Sequence, residues 1–251
     1  MSDVLTLGIS TFGNGVNRIR LPAPRSGLRV VVVWQEPSGP APVWSDRQDV
    51  RLVTMQGRGL SRSRNAVLAA TETPFLWFFD DDAVPLVDNA FALVEVARRE
   101  GWALATGTVI TPEGGAFKRY GAVQKQWNVF GAPKVSSIET VIDIEKVRHA
   151  GIAFDERFGL GAQWTMGEEF VFVASVLRSG LKAGFAPLCV AEHPLESTGK
   201  DFGRAEVWQA SSAALKHVFG RWALPVRVAM AWRKRRALGW SNAWRYLWVR
   251  L

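Results

Sequence analysis

Apolar residues along the chain fall into two alternating patterns. Short continuous runs, VLTLGIS (4–10), LRVVVVW (28–34), VRLVTM (50–55), PFLWFF (74–79) and WALATGTVI (102–110), have the length of strands. The unbroken VVVVW run predicts a strand buried on both faces of a sheet. Between these runs, SRSRNAVLAATE (61–72) and VDNAFALVEVARRE (87–100) carry helical spacing, with Ser61 or Ser63 as a cap for the first and Gly101 as a stop for the second. Strands and helices in this order predict an α/β fold. Such sheets bind ligands beyond the carboxyl ends of their strands, where loops and helix N-termini converge.

One strand ends abruptly there. FLWFFDDDAVP (75–85) drives five apolar residues toward a core and then places Asp80, Asp81 and Asp82 side by side. A single aspartate would read as a turn or a helix cap, with Pro85 opening the helix. Three adjacent carboxylates repel one another unless a cation sits among them, and a divalent metal holding a diphosphate supplies one, since hard oxygen ligands suit magnesium or manganese.

Composition narrows the class. With 251 residues, 48% hydrophobic and 22% charged, the chain has ordinary globular content. The single cysteine, Cys189, excludes an internal disulfide framework and a cysteine-based zinc cluster. The opening MSDVLTLGIS reads as a first strand and not as a secretion signal, and no run approaches the roughly 18 apolar residues of a spanning helix; a cytoplasmic protein is expected. The net charge of +8 belongs to one end. Glu206 is the last acid, and nine of the 31 Lys and Arg follow it, leaving 22 basic residues against 23 acidic ones before that point. A uniformly basic nucleic-acid-binding body is thereby disfavoured, and the tail is expected to meet something anionic.

Six segments in order, STF (10–12), VVVVWQEPS (31–38), GLSRSRN (59–65), FFDDDAVP (78–85), FDERFGLGAQWTMGEE (154–169) and VAEHP (190–194), resemble the motif series of family 2 glycosyltransferases of the GT-A fold. The resemblance spans roughly residues 4 to 200. It implies a mixed sheet flanked by helices in a catalytic domain of residues 1–202, acting on a nucleoside-diphosphate sugar, with a UDP-sugar as first guess. By position, it implies that Thr11, Phe12, Glu36 and Arg64 hold the nucleotide, with Asp80 and Asp81 on the same side. Asp82 and His193 would ligate a divalent metal, Mn2+ or Mg2+, on the diphosphate. Glu36 stands where the family has Asp. Glu169, with Glu168 as its rival, falls where the family places the general base of an inverting transfer. The longer glutamate asks for a deeper pocket, and a helix N-terminus would favour both acids in any case. Trp164, in a loop loosened by Gly159 and Gly161, offers an indole face to an acceptor sugar or to the core. The Gly-rich segment 111–137 carries no assignable chemistry, and HPLESTGK (193–200) reads as flexible.

From residue 203 the character changes, and a helical, basic, Trp-rich extension (203–251) is expected. Its last part holds five Trp and no acid, with Pro225 and Gly239 dividing it into short helices. Trp240, Trp244, Leu247, Trp248 and Leu251 share one helical face, which suits an anionic membrane surface, a packed terminal helix or an oligomer contact. The full expectation is transfer to a saccharide or lipid-linked acceptor of a surface glycan, at the inner face of the cell membrane. Two competitors are a nucleotidyltransferase, for which GNGVNRIR (13–20) is a faint echo of a Gly-rich phosphate loop, and a noncatalytic membrane-peripheral binder, which leaves the acids unexplained.

Overall fold

The computed structural model describes residues 4–194 and 201–251; residues 195–200, most of the stretch expected to be flexible, lie outside them. Among the described residues nine strands form one mixed sheet: β1 Leu5–Phe12, β2 Leu28–Gln35, β3 Val50–Met55, β4 Phe75–Asp80, β5 Val84–Pro85, β6 Leu104–Ile110, β7 Lys125–Gln126, β8 Thr140–Asp143 and β9 Ala183–Glu192. The order is β3-β2-β1-β4-β8-β6-β9-β5, with β7 also on β9. The first four strands are parallel and β8 runs antiparallel between β4 and β6. The α-helices are α1 Leu60–Ala70, α2 Val87–Glu100, α3 Ile144–His149, α4 Glu168–Arg178, α5 Ala205–Phe219 and α6 Ala223–Leu247.

The aromatic run of β4 is explained by strand alternation. Leu76 and Phe78 point into the core beneath α1 and α4, while Phe75, Trp77 and Phe79 point into the core beneath α2. All five are at most 4% exposed. Burying a Phe or Leu side chain stabilises by about 1.5–3 kcal/mol, so the strand is anchored on both faces and its acidic end is held in place. Trp77 also donates from Nε1 to the Ile138 carbonyl at 2.8 Å. On β1, a side chain at Gly8 would collide with Val67 of α1 and Leu76 of β4, and its absence lets the helix lie close to the sheet.

Two expected helix boundaries differ. Neither Ser61 nor Ser63 caps α1: the N-cap is Gly59, both serines are buried inside the helix, and the Ser61 hydroxyl donates to the Phe158 carbonyl at 2.6 Å. Gly101 does stop α2, in the left-handed region, with its N–H on the Ala97 and Arg98 carbonyls. At the other end of the chain, Pro225 sits in the first turn of α6 and does not divide it, because proline lacks only an N–H that the first turn leaves unused. Gly239, at φ 69°, interrupts α6 instead.

The C-terminal helices share the main core. Trp208, Leu215 and Val218 of α5 and Ala231, Leu238 and Tyr246 of α6 join the cluster that contains Phe78 and Phe172. Buried Arg227 ties the pair together, donating to the Ser212, Leu247 and Val249 carbonyls at 2.8–3.1 Å. No helix among the described residues is long and apolar enough to cross a membrane.

Candidate active site

A cleft of about 880 Å³ opens at the carboxyl ends of β1 and β4, where the sheet order reverses direction and α/β folds place their ligands. It is lined by Thr11, Phe12 and Asp80 to Asp82 and by Gly167, Glu168 and Glu169. Each acid of the triplet has its own partner. Asp80, at the end of β4, lies 3.5 Å from the Arg64 guanidinium. Asp81 accepts from the Thr11 hydroxyl at 2.5 Å and from Arg18 at 2.6 Å. Asp82 meets His193 Nε2 at 3.2 Å. Burial raises the pKa of Asp80 against the pull of Arg64, with Glu169 and Asp82 adding to it. Burial likewise raises Asp81 against its bonds to Thr11 and Arg18. Asp82 is lowered, chiefly by the hydrogen bond to His193, and the same bond raises His193.

The glutamate pair is built differently. Arg64, 3% exposed in its side chain, sends one guanidinium nitrogen to Glu168 and Glu169 at 3.1 Å each and the other to the Ser137 hydroxyl at 2.7 Å. Burial works against its charge, but Glu169, Glu168 and Asp80 outweigh burial and raise its pKa. Glu168 is buried, and its Oε2 has no hydrogen-bond partner. Burial first, and then the charge of Glu169, push Glu168 up to about 8 in spite of Arg64. Glu169 is the more open of the two, with a quarter of its side chain exposed to the cleft.

Several residues stand apart from the expected places. Arg64, expected at the base and phosphates, does line the cleft, but its buried guanidinium is engaged as the link between Asp80 and the glutamates. Glu36, at φ 48°, turns its carboxylate onto the Gly57 N–H and is absent from the cleft lining. Gln35 lines the cleft in its stead, its Oε1 accepting from the Gly59 N–H at 2.7 Å. Trp164 also misses the lining; its indole packs on the main core with Nε1 buried, and the loop offers Leu160, Thr165 and Met166 to the cleft instead. That loop does use its glycines, Gly159 and Gly161 lying at φ 104° and 82°. Sequence reasoning passed over Arg18, which clasps Asp81, and Arg58, which lies 5.0 Å over the ring of half-exposed Phe12. The echo GNGVNRIR, which contains Arg18, was the signal available for the first. From segment 111–137, Phe117 reaches the cleft and stands edge-on to His193 at 5.2 Å.

Residues 41–145 match the profile of glycosyl transferase family 2. The crystal structure of S. aureus TarS 1-349 superposes at a TM-score of 0.61 with 11% identity, covering 95% of this chain and 73% of that one. The same protein in complex with UDP gives 0.61 and 11%, covering 96% and 74%, and in complex with UDP-GlcNAc 0.60 and 10%, covering 94% and 73%. A search of curated proteins finds no match. The chain has the GT-A fold, and its residues 41–145 match glycosyl transferase family 2. The match favours a glycosyltransferase over the nucleotidyltransferase and binder readings.

Enzymes of this fold generally use a divalent metal, and the donor set of the glycosyltransferase fits one. Among the described residues no group of three or more His, Cys, Asp or Glu is arranged around a metal position. Asp82 and His193 converge as a pair, a carboxylate and an imidazole suited to manganese or magnesium once diphosphate oxygens fill the remaining positions. The His193 Nδ1–H donates to the Pro194 carbonyl at 2.5 Å and Nε2–H faces Asp82 at 3.2 Å; a cation binding there would displace the Nε2 proton and meet the lone pair it leaves.

Proposed function

We propose that the enzyme is a metal-dependent, inverting glycosyltransferase that moves a sugar from a UDP-sugar to a saccharide or glycolipid acceptor in surface-glycan synthesis. The observation that carries this reading is the meeting of two unlike acid groups in one cleft: a partnered aspartate triplet with a histidine, and a more open carboxylate, Glu169. UDP is the first nucleotide to try because S. aureus TarS, which shares the fold, is solved with UDP and with UDP-GlcNAc.

In this reading Phe12, with Arg58 over its ring, stacks on the base, and Thr11, Asp80 and Asp81 hold the nucleoside side. Asp82 and His193 hold the cation. When bound, that cation stabilises the negative charge that develops on the departing diphosphate. The Glu169 carboxylate accepts the proton of the acceptor hydroxyl as its oxygen attacks the anomeric carbon; the bond from that carbon to the diphosphate breaks, and the nucleoside diphosphate leaves with the electron pair. Attack from the face opposite the leaving group inverts the anomeric centre without a covalent enzyme intermediate. Arg64 holds Glu169 by one guanidinium nitrogen and keeps it beside the cleft. Residues 1–202 form the catalytic domain, and the extension 203–251 supplies part of the cleft wall, through Ser211, Leu215 and Met230. The enzyme works in the cytoplasm at the inner face of the membrane.

The test is product analysis with UDP-sugars in the presence of Mn2+. Release of UDP, and transfer with inversion to an acceptor, supports the reading; pyrophosphate release, or no donor turnover across a panel of nucleotide sugars, rejects it.

A further inference from the structure

Helix α6 has two faces of different kinds. Its inner face buries Ala223, Arg227, Ala231, Leu238 and Tyr246, and Met230 reaches the cleft. Its outer face carries Leu224, Val228 and Trp232 at four-residue intervals; beyond the interruption at Gly239, Trp240, Trp244 and Trp248 repeat the interval. These indoles are far from buried: Trp232 is 63% exposed, Trp240 78%, Trp244 65% and Trp248 57%. The expected stripe is thus longer than the sequence suggested, and it loses Leu247, which packs on the core.

The cations among these side chains have no acidic partners. None of the nine Lys and Arg after Glu206 forms a salt bridge among the described residues; Arg221 and Arg235 lie over Trp222 and Trp232 instead. A second copy of the chain, docking this face on itself, would set cations against cations. A nucleic acid would take the charge but leave Leu224, Val228 and Leu251 in water. An anionic bilayer takes both, with indoles at the headgroup level and cations on the phosphates.

We propose that the outer face of α6 lies on an anionic lipid bilayer and that the same helix thereby holds the cleft beside a membrane-borne acceptor. The acceptor half rests on the glycosyltransferase reading above; the lipid contact does not. Because the inner face is clasped by Arg227 and Tyr246 and lines the cleft, deleting the helix would damage the core, and the test must leave it in place.

The full chain is sedimented with vesicles of mixed phosphatidylglycerol and phosphatidylcholine, and with phosphatidylcholine alone, without donor. Expected are pelleting with the anionic vesicles only, weakening in raised salt, and a blue shift of Trp emission. Combining Trp232→Ser, Trp240→Ser, Trp244→Ser and Trp248→Ser should weaken binding more than about ten-fold and abolish the blue shift, at unchanged thermal midpoint and unchanged UDP release in solution. Arg233→Gln, Arg236→Gln and Arg245→Gln should each weaken binding about five-fold, the equivalent of one surface cation. If the fourfold variant fails to fold, Trp240→Ser alone and the three charge variants decide.

No pelleting by the native chain, equal pelleting with neutral vesicles, or full binding by the variants overturns the proposal. So does a dimer in gel filtration that the Trp changes dissociate, or binding to duplex DNA without binding to vesicles. An inactive protein that pellets rejects the transfer reading alone; an active one that does not pellet rejects this inference alone.

Discussion

The two acid groups of the cleft solve the problem of crowded charge in opposite ways. Asp80, Asp81 and Asp82 are consecutive, yet each points to a different partner: Arg64, Arg18 with Thr11, and His193. Glu168 and Glu169 are also consecutive but share a single nitrogen of Arg64, and one oxygen of Glu168 is left without a partner. The first arrangement keeps carboxylates in place as acceptors of positive charge. The second leaves the pair short of one positive charge, and a proton on Glu168 makes up the difference. The two groups differ in how fully their charge is partnered, although both are made only of acids and Arg64 touches both.

The largest expected effect breaks the first arrangement. Asp82→Asn replaces a hard anionic ligand by a neutral amide, and turnover should be lost with nucleotide binding weakened, while the thermal midpoint holds. Steady-state kinetics and nucleotide titration check it, and full activity in the variant or in chelator would remove Asp82 from its role. Glu169→Gln comes next, with turnover down by about two to four orders of magnitude, the usual contribution of a positioned base, and donor affinity kept. Should Glu168→Gln show that pattern instead, the roles of the two glutamates exchange.

Arg64 joins the two arrangements. Removing one partner of a buried ion pair typically costs about 3–5 kcal/mol, and Arg64→Met leaves three carboxylates without their shared cation, so the denaturation midpoint should fall clearly. A midpoint within error of the native one would show that the acids do not depend on Arg64.

The smallest effect is a pH dependence of stability. Glu168 has a folded pKa of about 8 against an ordinary 4.5. A carboxyl with a raised folded pKa binds its proton more tightly in the native state, so its contribution is full below pH 4.5 and is lost as pH rises toward 8. Thermal midpoints measured across that window should fall more steeply in the native protein than in Glu168→Gln. Parallel profiles would mean that Glu168 is not held protonated.

Strands and their ends were legible because continuous apolar runs need no knowledge of distant partners. β2, β3, β4 and α2 lie within a residue of the expected positions, and the acids of 80–82 do fall at a strand exit. What escaped was set by contacts between distant parts of the chain. Ser61 looks like a cap until the loop carrying Phe158 arrives to accept its hydroxyl proton. Glu36 and Gln35 are adjacent, and only the backbone of residues 57–59 decides which side chain turns to the cleft. Arg64 is separated from Glu168 by about a hundred residues, so nothing local announces that it serves the glutamates. Likewise, the outer stripe of α6 needed the position of its buried face before Trp232 could be joined to Trp240 and Trp244.

The most direct measurement is UDP release from UDP-sugars by the native chain and by Glu169→Gln, each with Mn2+ and with chelator, in the presence of an acceptor. UDP should appear only with metal, and the variant should lose turnover while retaining donor binding. Metal-independent release, or a Glu169→Gln variant as fast as the native enzyme, would contradict the assignment of the two acid groups.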